Sequence, residues 1–573
     1  MKVIDGKNFL KICFHTLLLV GGIVLGFLII SKRITLDTFK SPKQETKEEE
    51  KVEKPVASEL LETQLLQDLN DHVVDIDGYI KNLLFAEYDR DFLENRYASL
   101  KTFETPLDTD YIVYQYANNI SESVLRYYLG RATLKGVTFD ANKFNNEPSS
   151  DSAVAFSDPV YAKDTDKNIN LNHVLISGNG NFVIWYTDSG SSAITERQAQ
   201  DIGYNLEVAR YAYDKMYNKY FKFKADFVVD GNINKKQTEL LKAKGINNKK
   251  LTTAMQVYVL NYTETASAKY VLTGDKLLSI YNKFEKNNTD GTIPGPYLIV
   301  NAKAYKNDKE RAMQIINREL FRHYQYNVFC PESTCIINDD PYYFDALATY
   351  GSAAGTKKST NKGFINEWAA LARVSSQNIF NEELVKKYGQ KNVANSLAVY
   401  LSAYASAVPE GDKKLVDALY QSDPFKKLEE RAGDKYLTEA IQTVALGYLK
   451  LDFNNNLIAS PEFQEKFVAK DHLYDSKDIL DEEIKPLGIA YYILDKDEAK
   501  NYTIEFGRST AKVSCLLLGF KDGVYRTVAK SPVSSVSVQF KTANYTNYER
   551  YYLVIANATI LDSNYYSLKI VLE

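Results

Sequence analysis

The longest apolar stretch stands at the start of the chain. From Ile12 to Ile30 it reads ICFHTLLLVGGIVLGFLII, with His15 the one strongly polar side chain. At about 1.5 Å per residue such a run crosses roughly 30 Å of hydrocarbon. It continues directly into Ser31-Lys32-Arg33 without the small-x-small site of a cleaved signal peptide, so the pattern predicts an uncleaved anchor over 12–31. His15 is expected near the headgroups, where its cost is small. Lys2, Lys7 and Lys11 precede the span, and Lys32 and Arg33 follow it. The short tail 1–11 is expected inside and the remainder outside, because long domains are translocated largely regardless of charge. Residues 32–59 are rich in Lys and Glu, a solvated linker too polar to bury a core.

From Leu60 the spacing becomes helical. Leu60, Leu61, Leu65, Leu66, Leu69, Val73, Ile76, Ile80 and Leu83 recur at steps of three and four. With a second helix over Tyr111–Leu129 they predict a helical region (60–145) folded as a hairpin on itself. A Pro/Asn/Asp-rich boundary covers Asn145–Asn170. Beyond it, His173–Ile176 and Phe182–Tyr186 flank Ser177-Gly178-Asn179-Gly180-Asn181, which lacks the third Gly of a phosphate cradle and reads as a hairpin turn. Asp164-x-Asp166-x-Asn168 begins like a calcium loop, but Ile169 stands at the glycine position and Leu175 where the closing Glu belongs.

A long helix is expected over Glu196–Tyr220, with Ile202, Leu206, Ala209, Tyr213 and Met216 inward. Strands follow near Phe227–Val229, Met255–Leu260 and Pro296–Val300, the last expected at a sheet edge, and a helix runs from near Asn307 to Tyr326. Together these make a subdomain over 159–335. Residues 336–480 read as helices. Over 485–573 the pattern switches to period two, with turns at Lys521-Asp522-Gly523 and Asn544–Asn547: about seven short strands, as in a β-sandwich. The fold class expected is α+β.

Composition narrows the function classes. A net charge of −4 gives no global field for nucleic acid or an anionic surface, and no basic stripe interleaved with aromatics is present. The 43 Tyr against 2 Trp are spread over the whole chain and mark a compositional bias rather than a mechanism. Cys330 and Cys335 enclose Pro-Glu-Ser-Thr, a loop that can close as a disulfide outside the cell. The rival is a pair of metal ligands, for which no second Cys/His pair is placed. Cys515 sits in an apolar run and reads as a buried free thiol. No Gly-x-Ser-x-Gly and no Cys/His nucleophile pair is recognisable.

One helix carries the chemistry worth weighing: Ile315-Ile316-Asn317-Arg318-Glu319-Leu320-Phe321-Arg322-His323-Tyr324-Gln325-Tyr326. It resembles the motif helix of zincin metallopeptidases, His-Glu-x-x-His in a context such as His-Glu-Leu-Phe-His-x-x-Gln-Tyr. There two imidazoles four residues apart bind zinc, and the Glu activates the zinc-bound water. Glu319, Leu320, Phe321, Gln325 and Tyr326 match, while Arg318 and Arg322 hold the histidine positions. Gluzincins take a third ligand, a Glu, from the next helix. Tyr342-Tyr343-Phe344-Asp345-Ala346-Leu347-Ala348-Thr349-Tyr350 resembles that segment, with Asp345 in place of the Glu. The order of elements over Pro159–Glu573 also resembles that of extracellular peptidases of this kind. The implied fold is a zincin-like core with a helical lower subdomain and a C-terminal β-sandwich.

The departures set the functional expectation. Arginine keeps its proton and cannot bind a cation, and among the five His no two are four apart, so the family's two-histidine zinc site is excluded and no zinc cofactor is expected. Two Arg⁺ facing Glu319 and Asp345 sum to zero, as zinc and two carboxylates do. The guanidinium pair is accordingly expected to replace the metal and tie the two helices together. The alternative is that both Arg face solvent. A displaced metal site from Glu319, His323 and Asp345 is a further alternative, on a face rotated about 100° per residue from the family's ligands. The expected role is an inactive, membrane-anchored homologue that binds a protein, peptide or envelope polymer and no nucleic acid. The competing readings are a hydrolase with a non-standard metal set and a purely structural surface protein.

Overall fold

The computed structural model describes residues 60–573 except 103–108, 117, 133–136, 139–168, 218, 226–240, 244, 246–252, 262–265, 272–295, 330–340, 356–389, 419–422, 451–470, 474–475, 496–500 and 546. The expected anchor, the linker, the Cys330–Cys335 loop and the strand near Phe227–Val229 lie outside the described residues. Among those described, no helix is long and apolar enough to cross a membrane. The described chain is one compact unit, Ser58–Glu573, of mixed α+β structure.

Four helices come first: α1 (Leu61–Asn70), α2 (Ile76–Tyr88), α3 (Thr109–Tyr116) and α4 (Glu122–Ala132). The continuous apolar spacing from Leu60 to Leu83 is broken between α1 and α2. His72 takes a left-handed conformation (φ 57°), and the Asp75 side chain accepts the Gly78 amide to start a new helix. Val73, expected on the buried face, falls in this break and is 55% exposed. The helix expected over Tyr111–Leu129 is likewise two. Ser121 restarts it, its hydroxyl accepting the Val124 amide and its own amide donating to Asp77.

A two-residue pair follows, β1 (Val137–Thr138) with β2 (Ile169–Asn170). The central sheet contains β3 (His173–Ile176), β4 (Phe182–Tyr186), β5 (Met255–Val259), β6 (Ala268–Val271) and β7 (Tyr297–Val300) in the order β3-β4-β5-β7-β6. β4, β5 and β7 are parallel, and both outer strands run antiparallel to their neighbours. This corrects the expected edge: Tyr297–Val300 is an inner strand, and the edge is β6, whose four residues are too few and too mixed to show a period.

The sheet is covered on both faces, which explains its near-continuous apolar inner strands. On one side lies α5 (Glu196–Met216), started by a Thr195/Gln198 capping box. Its Ile202, Leu206, Ala209 and Tyr213 pack with Ile184, Val257 and Leu298. On the other side Leu84, Tyr127 and Tyr128 from the four N-terminal helices pack against Val183, Trp185, Tyr258 and Ile299. The N-terminal helices are therefore a layer of the sheet domain rather than a hairpin packed on itself.

The Ser177–Asn181 segment is a hairpin turn between β3 and β4, pinned by one carboxylate. Buried Glu207 on α5 accepts Ser177 Oγ (2.5 Å), Asn181 N (3.2 Å), Asn181 Nδ2 (2.9 Å) and Arg210 Nε (2.9 Å). Burial pushes its carboxyl up, but the hydrogen bonds from Ser177, Asn181 and Arg210 outweigh it and hold Glu207 below its ordinary 4.5. A depressed folded value places the stabilisation above the unfolded value and loses it as pH falls through the folded one. Glu207→Gln is expected to cost about 1–3 kcal/mol in urea unfolding at neutral pH. Its gap to the parent should narrow as pH is lowered below 4.5; a gap independent of pH would assign the cost to shape rather than charge.

After β7 come α6 (Ala302–Asn307), α7 (Lys309–Phe329) and α8 (Pro341–Ala354), then α9 (Gln390–Ala407), α10 (Gly411–Ala418), α11 (Pro424–Ala432) and α12 (Asp434–Lys450). Among the described residues nine strands follow: β8 (Asp471–Leu473), β9 (Lys477–Ile484), β10 (Ile489–Asp495), β11 (Tyr502–Arg508), β12 (Val513–Lys521), β13 (Val524–Lys530), β14 (Ser537–Lys541), β15 (Arg550–Asn557) and β16 (Asn564–Leu572). They form two sheets, β13-β12-β15-β10-β8 and β14-β11-β16-β9, whose facing sides share one core of Leu494, Ile504, Phe506, Leu517, Leu553 and Leu568. That core holds Cys515, a free thiol that burial pushes up. The sheets start before the expected boundary at 485 because β9 shows mostly charged residues to solvent and sends only a few side chains inward. The outer face of the five-stranded sheet packs on the helices, with Tyr491 Oη donating to the Ala445 carbonyl (2.9 Å).

Candidate functional site

α7 is buried against α5, α8 and β6, and these neighbours fix its rotation. Tyr213 on α5 donates to the carbonyls of Asn317 (3.0 Å) and Gly351 (2.7 Å), joining α5, α7 and α8 through one hydroxyl. Tyr324 Oη donates to Asp214 (2.7 Å), and Gln325 Nε2 to the Phe344 carbonyl (2.8 Å). Gly351 lets α7 and α8 approach: a Cβ there would lie 2.4 Å from the Phe321 ring.

The charged cluster sits where these helices meet. Arg318 and Arg322 are 2% and 1% exposed, and Glu319 and Asp345 are buried with them. Arg318 Nη1 lies 2.7 Å from Glu319 Oε1, and its Nη2 lies 3.7 Å from Asp345 Oδ1. Arg322 Nη2 pairs with the same Asp345 oxygen, and its guanidinium lies over the Phe344 ring at 4.6 Å. The second Glu319 oxygen accepts the backbone amide of Tyr270 on edge strand β6 (2.9 Å). Of the two readings open from sequence, solvated Arg or buried cluster, the buried cluster is the arrangement found. The four residues form one ionic chain, Glu319–Arg318–Asp345–Arg322, between α7 and α8.

The cluster does not fit a metal. Two positions are guanidinium groups, which have no lone pair to give and carry the charge an ion would bring. Glu319 is committed to Arg318 and the Tyr270 amide.

His323 faces another way. It is fully buried among Phe221, Phe223, Tyr270 and Tyr324. Its Nε2 lies 2.7 Å from the Lys224 carbonyl, so that nitrogen carries the proton. Nδ1 meets Tyr270 Oη (3.2 Å) and Asn327 Nδ2 (3.1 Å). Of the displaced-metal set, Glu319 and His323 both meet Tyr270, through its amide and its hydroxyl respectively, while Asp345 is engaged with Arg318 and Arg322. Among the described residues no three of His, Cys, Asp or Glu are grouped to hold an ion.

The edge strand is closed to an added chain. All four residues of β6 are buried, and the Tyr270 amide is taken by Glu319. Tyr297–Val300, expected to line a peptide-binding cleft as an edge strand, lies instead between β5 and β6. Sequence reasoning missed Tyr270 and Lys269, which touch the cluster and the N-terminal layer. The one available signal was a lysine followed by Tyr-Val-Leu between polar segments.

No family model matches the chain, and no match among curated proteins was found. Among solved structures the chain is similar to the crystal structure of Aeromonas hydrophila PliG, a periplasmic lysozyme inhibitor of g-type lysozyme, at 10% identity. The match covers 18% of this chain and 96% of that one with a TM-score of 0.15, too weak to carry an argument about fold or function.

Proposed function

We propose that this chain is a membrane-anchored, extracytoplasmic pseudopeptidase: a zincin-like core in which two arginines take the place of the zinc ion, with a helical lower subdomain and a C-terminal β-sandwich. The observation that carries this reading is the buried chain Glu319–Arg318–Asp345–Arg322. Its members stand at the positions of the family's two histidines, general base and third ligand, and their charges balance as zinc and two carboxylates would. Without a polarised water, Glu319 has nothing to activate, and an Arg-bound carboxylate is a poor base. The role left to such a protein is binding. The buried edge strand argues against capture of an extended peptide in the old groove, so the protein, peptide or envelope polymer is assigned to the C-terminal sheets.

The test is proteolysis. Unfolded casein incubated with the purified protein and excess zinc is expected to be cut no faster than with the Glu319→Gln variant. Zinc-dependent cleavage that this variant loses would overturn the reading.

A further inference from the structure

A further buried ion pair joins the N-terminal layer to the edge of the central sheet. Lys269 on β6 is 1% exposed and Glu87 on α2 is 0% exposed as side chains, and Lys269 Nζ lies 2.8 Å from Glu87 Oε2. Nζ also donates to Thr109 Oγ1 on α3 at 2.6 Å, and that hydroxyl in turn donates to the same Glu87 oxygen. The Tyr88 ring flanks the ammonium at 4.9 Å. An amine, a carboxyl group and a hydroxyl that bridges them are therefore held together in a site without bulk water.

From this geometry we infer that Lys269 and Glu87 condense to a side-chain amide, an intramolecular isopeptide bond. Burying two ions carries a desolvation penalty that a neutral amide removes. Enforced contact replaces the encounter that makes the reaction slow between free side chains. The steps balance without any co-reactant. One ammonium proton passes to Glu87 Oε2, directly or through Thr109 Oγ1, leaving a neutral amine and a neutral acid. Nζ then forms a bond to Glu87 Cδ. A second Nζ proton moves by the same hydroxyl to the departing oxygen, the Cδ–O bond breaks, and one water leaves. Nitrogen retains one hydrogen, and nothing is oxidised or reduced. Exclusion of water from the site then opposes hydrolysis. The bond would clamp the helical layer to the edge strand of the sheet.

Mass spectrometry of the full chain, denatured and reduced, reads the bond directly. The expected mass is that of the sequence less one water, and digestion should yield one branched fragment joining the Glu87 and Lys269 peptides. Lys269→Arg keeps the charge but has no comparable nucleophile, so its mass should equal its sequence and the branched fragment should vanish. Separate Glu87 and Lys269 peptides from the parent protein, or a water loss that persists in Lys269→Arg, would overturn the inference.

Discussion

Replacing Asp345 by alanine is expected to destabilise the protein by about 3–5 kcal/mol, the cost of leaving a buried charge without its partner. Asp345 is the shared acceptor of both guanidinium groups. Its removal takes from Arg318 and Arg322 the carboxylate they share, leaving Glu319 against Arg318, and the Phe344 ring and Gln325 against Arg322. A surface pair would give less than about 1 kcal/mol, so the size of the effect separates a buried cluster from a solvated one. Removing both members of a pair should cost far less than removing one, because no orphan charge remains. Asp345→Leu combined with Arg322→Met is accordingly expected to recover most of the loss. Urea unfolding of the two single variants and the double variant measures this; an Asp345→Ala variant as stable as the parent would show that the cluster contributes nothing.

The largest gain of function should come from installing zinc ligands at these positions. A variant with Arg318→His, Arg322→His and Asp345→Glu is expected to bind one zinc ion, and the parent none. Positions 318 and 322 lie on one face of α7 by their i, i+4 spacing, and both guanidinium groups already converge on the residue at 345. Three such donors with an open fourth position are a zinc site. Zinc at about a thousand times its dissociation constant should then raise stability by roughly 4 kcal/mol. Should the triple variant fold yet take up no zinc, the variant keeping Asp345 with only the two histidines checks whether the longer carboxylate was at fault. Failure of both would place the cluster outside the zincin register.

The candidate site was legible because two features agreed. The sequence around Arg318 and Arg322 resembles a motif helix whose inward face would hold both positions, and a pair of arginines on a buried face has to find carboxylates. Asp345, in the next helix, was the only acceptor the register offered besides Glu319, and the structure places both there. α5 was equally legible, since its inward residues keep helical spacing between a capping box and Met216. Other parts were hidden for local reasons. The α1–α2 break turns on one left-handed residue, His72, which hydrophobic spacing does not register. β6 and β9 escaped because strand character in both comes from pairing rather than side-chain alternation: β6 buries a lysine, and β9 shows mostly charge. The contact of the N-terminal layer with the sheet depends on residues far apart in the chain, such as Glu87 and Lys269, a pairing with no local trace.

In the proposed pseudopeptidase two guanidinium groups stand where the ion would be. Metal content of Ser58–Glu573, incubated with zinc and then dialysed, tests that most directly. The expected result is no stoichiometric ion, with zinc neither retained nor raising stability. One equivalent of zinc per chain, lost on replacing Glu319 or Asp345, would contradict it.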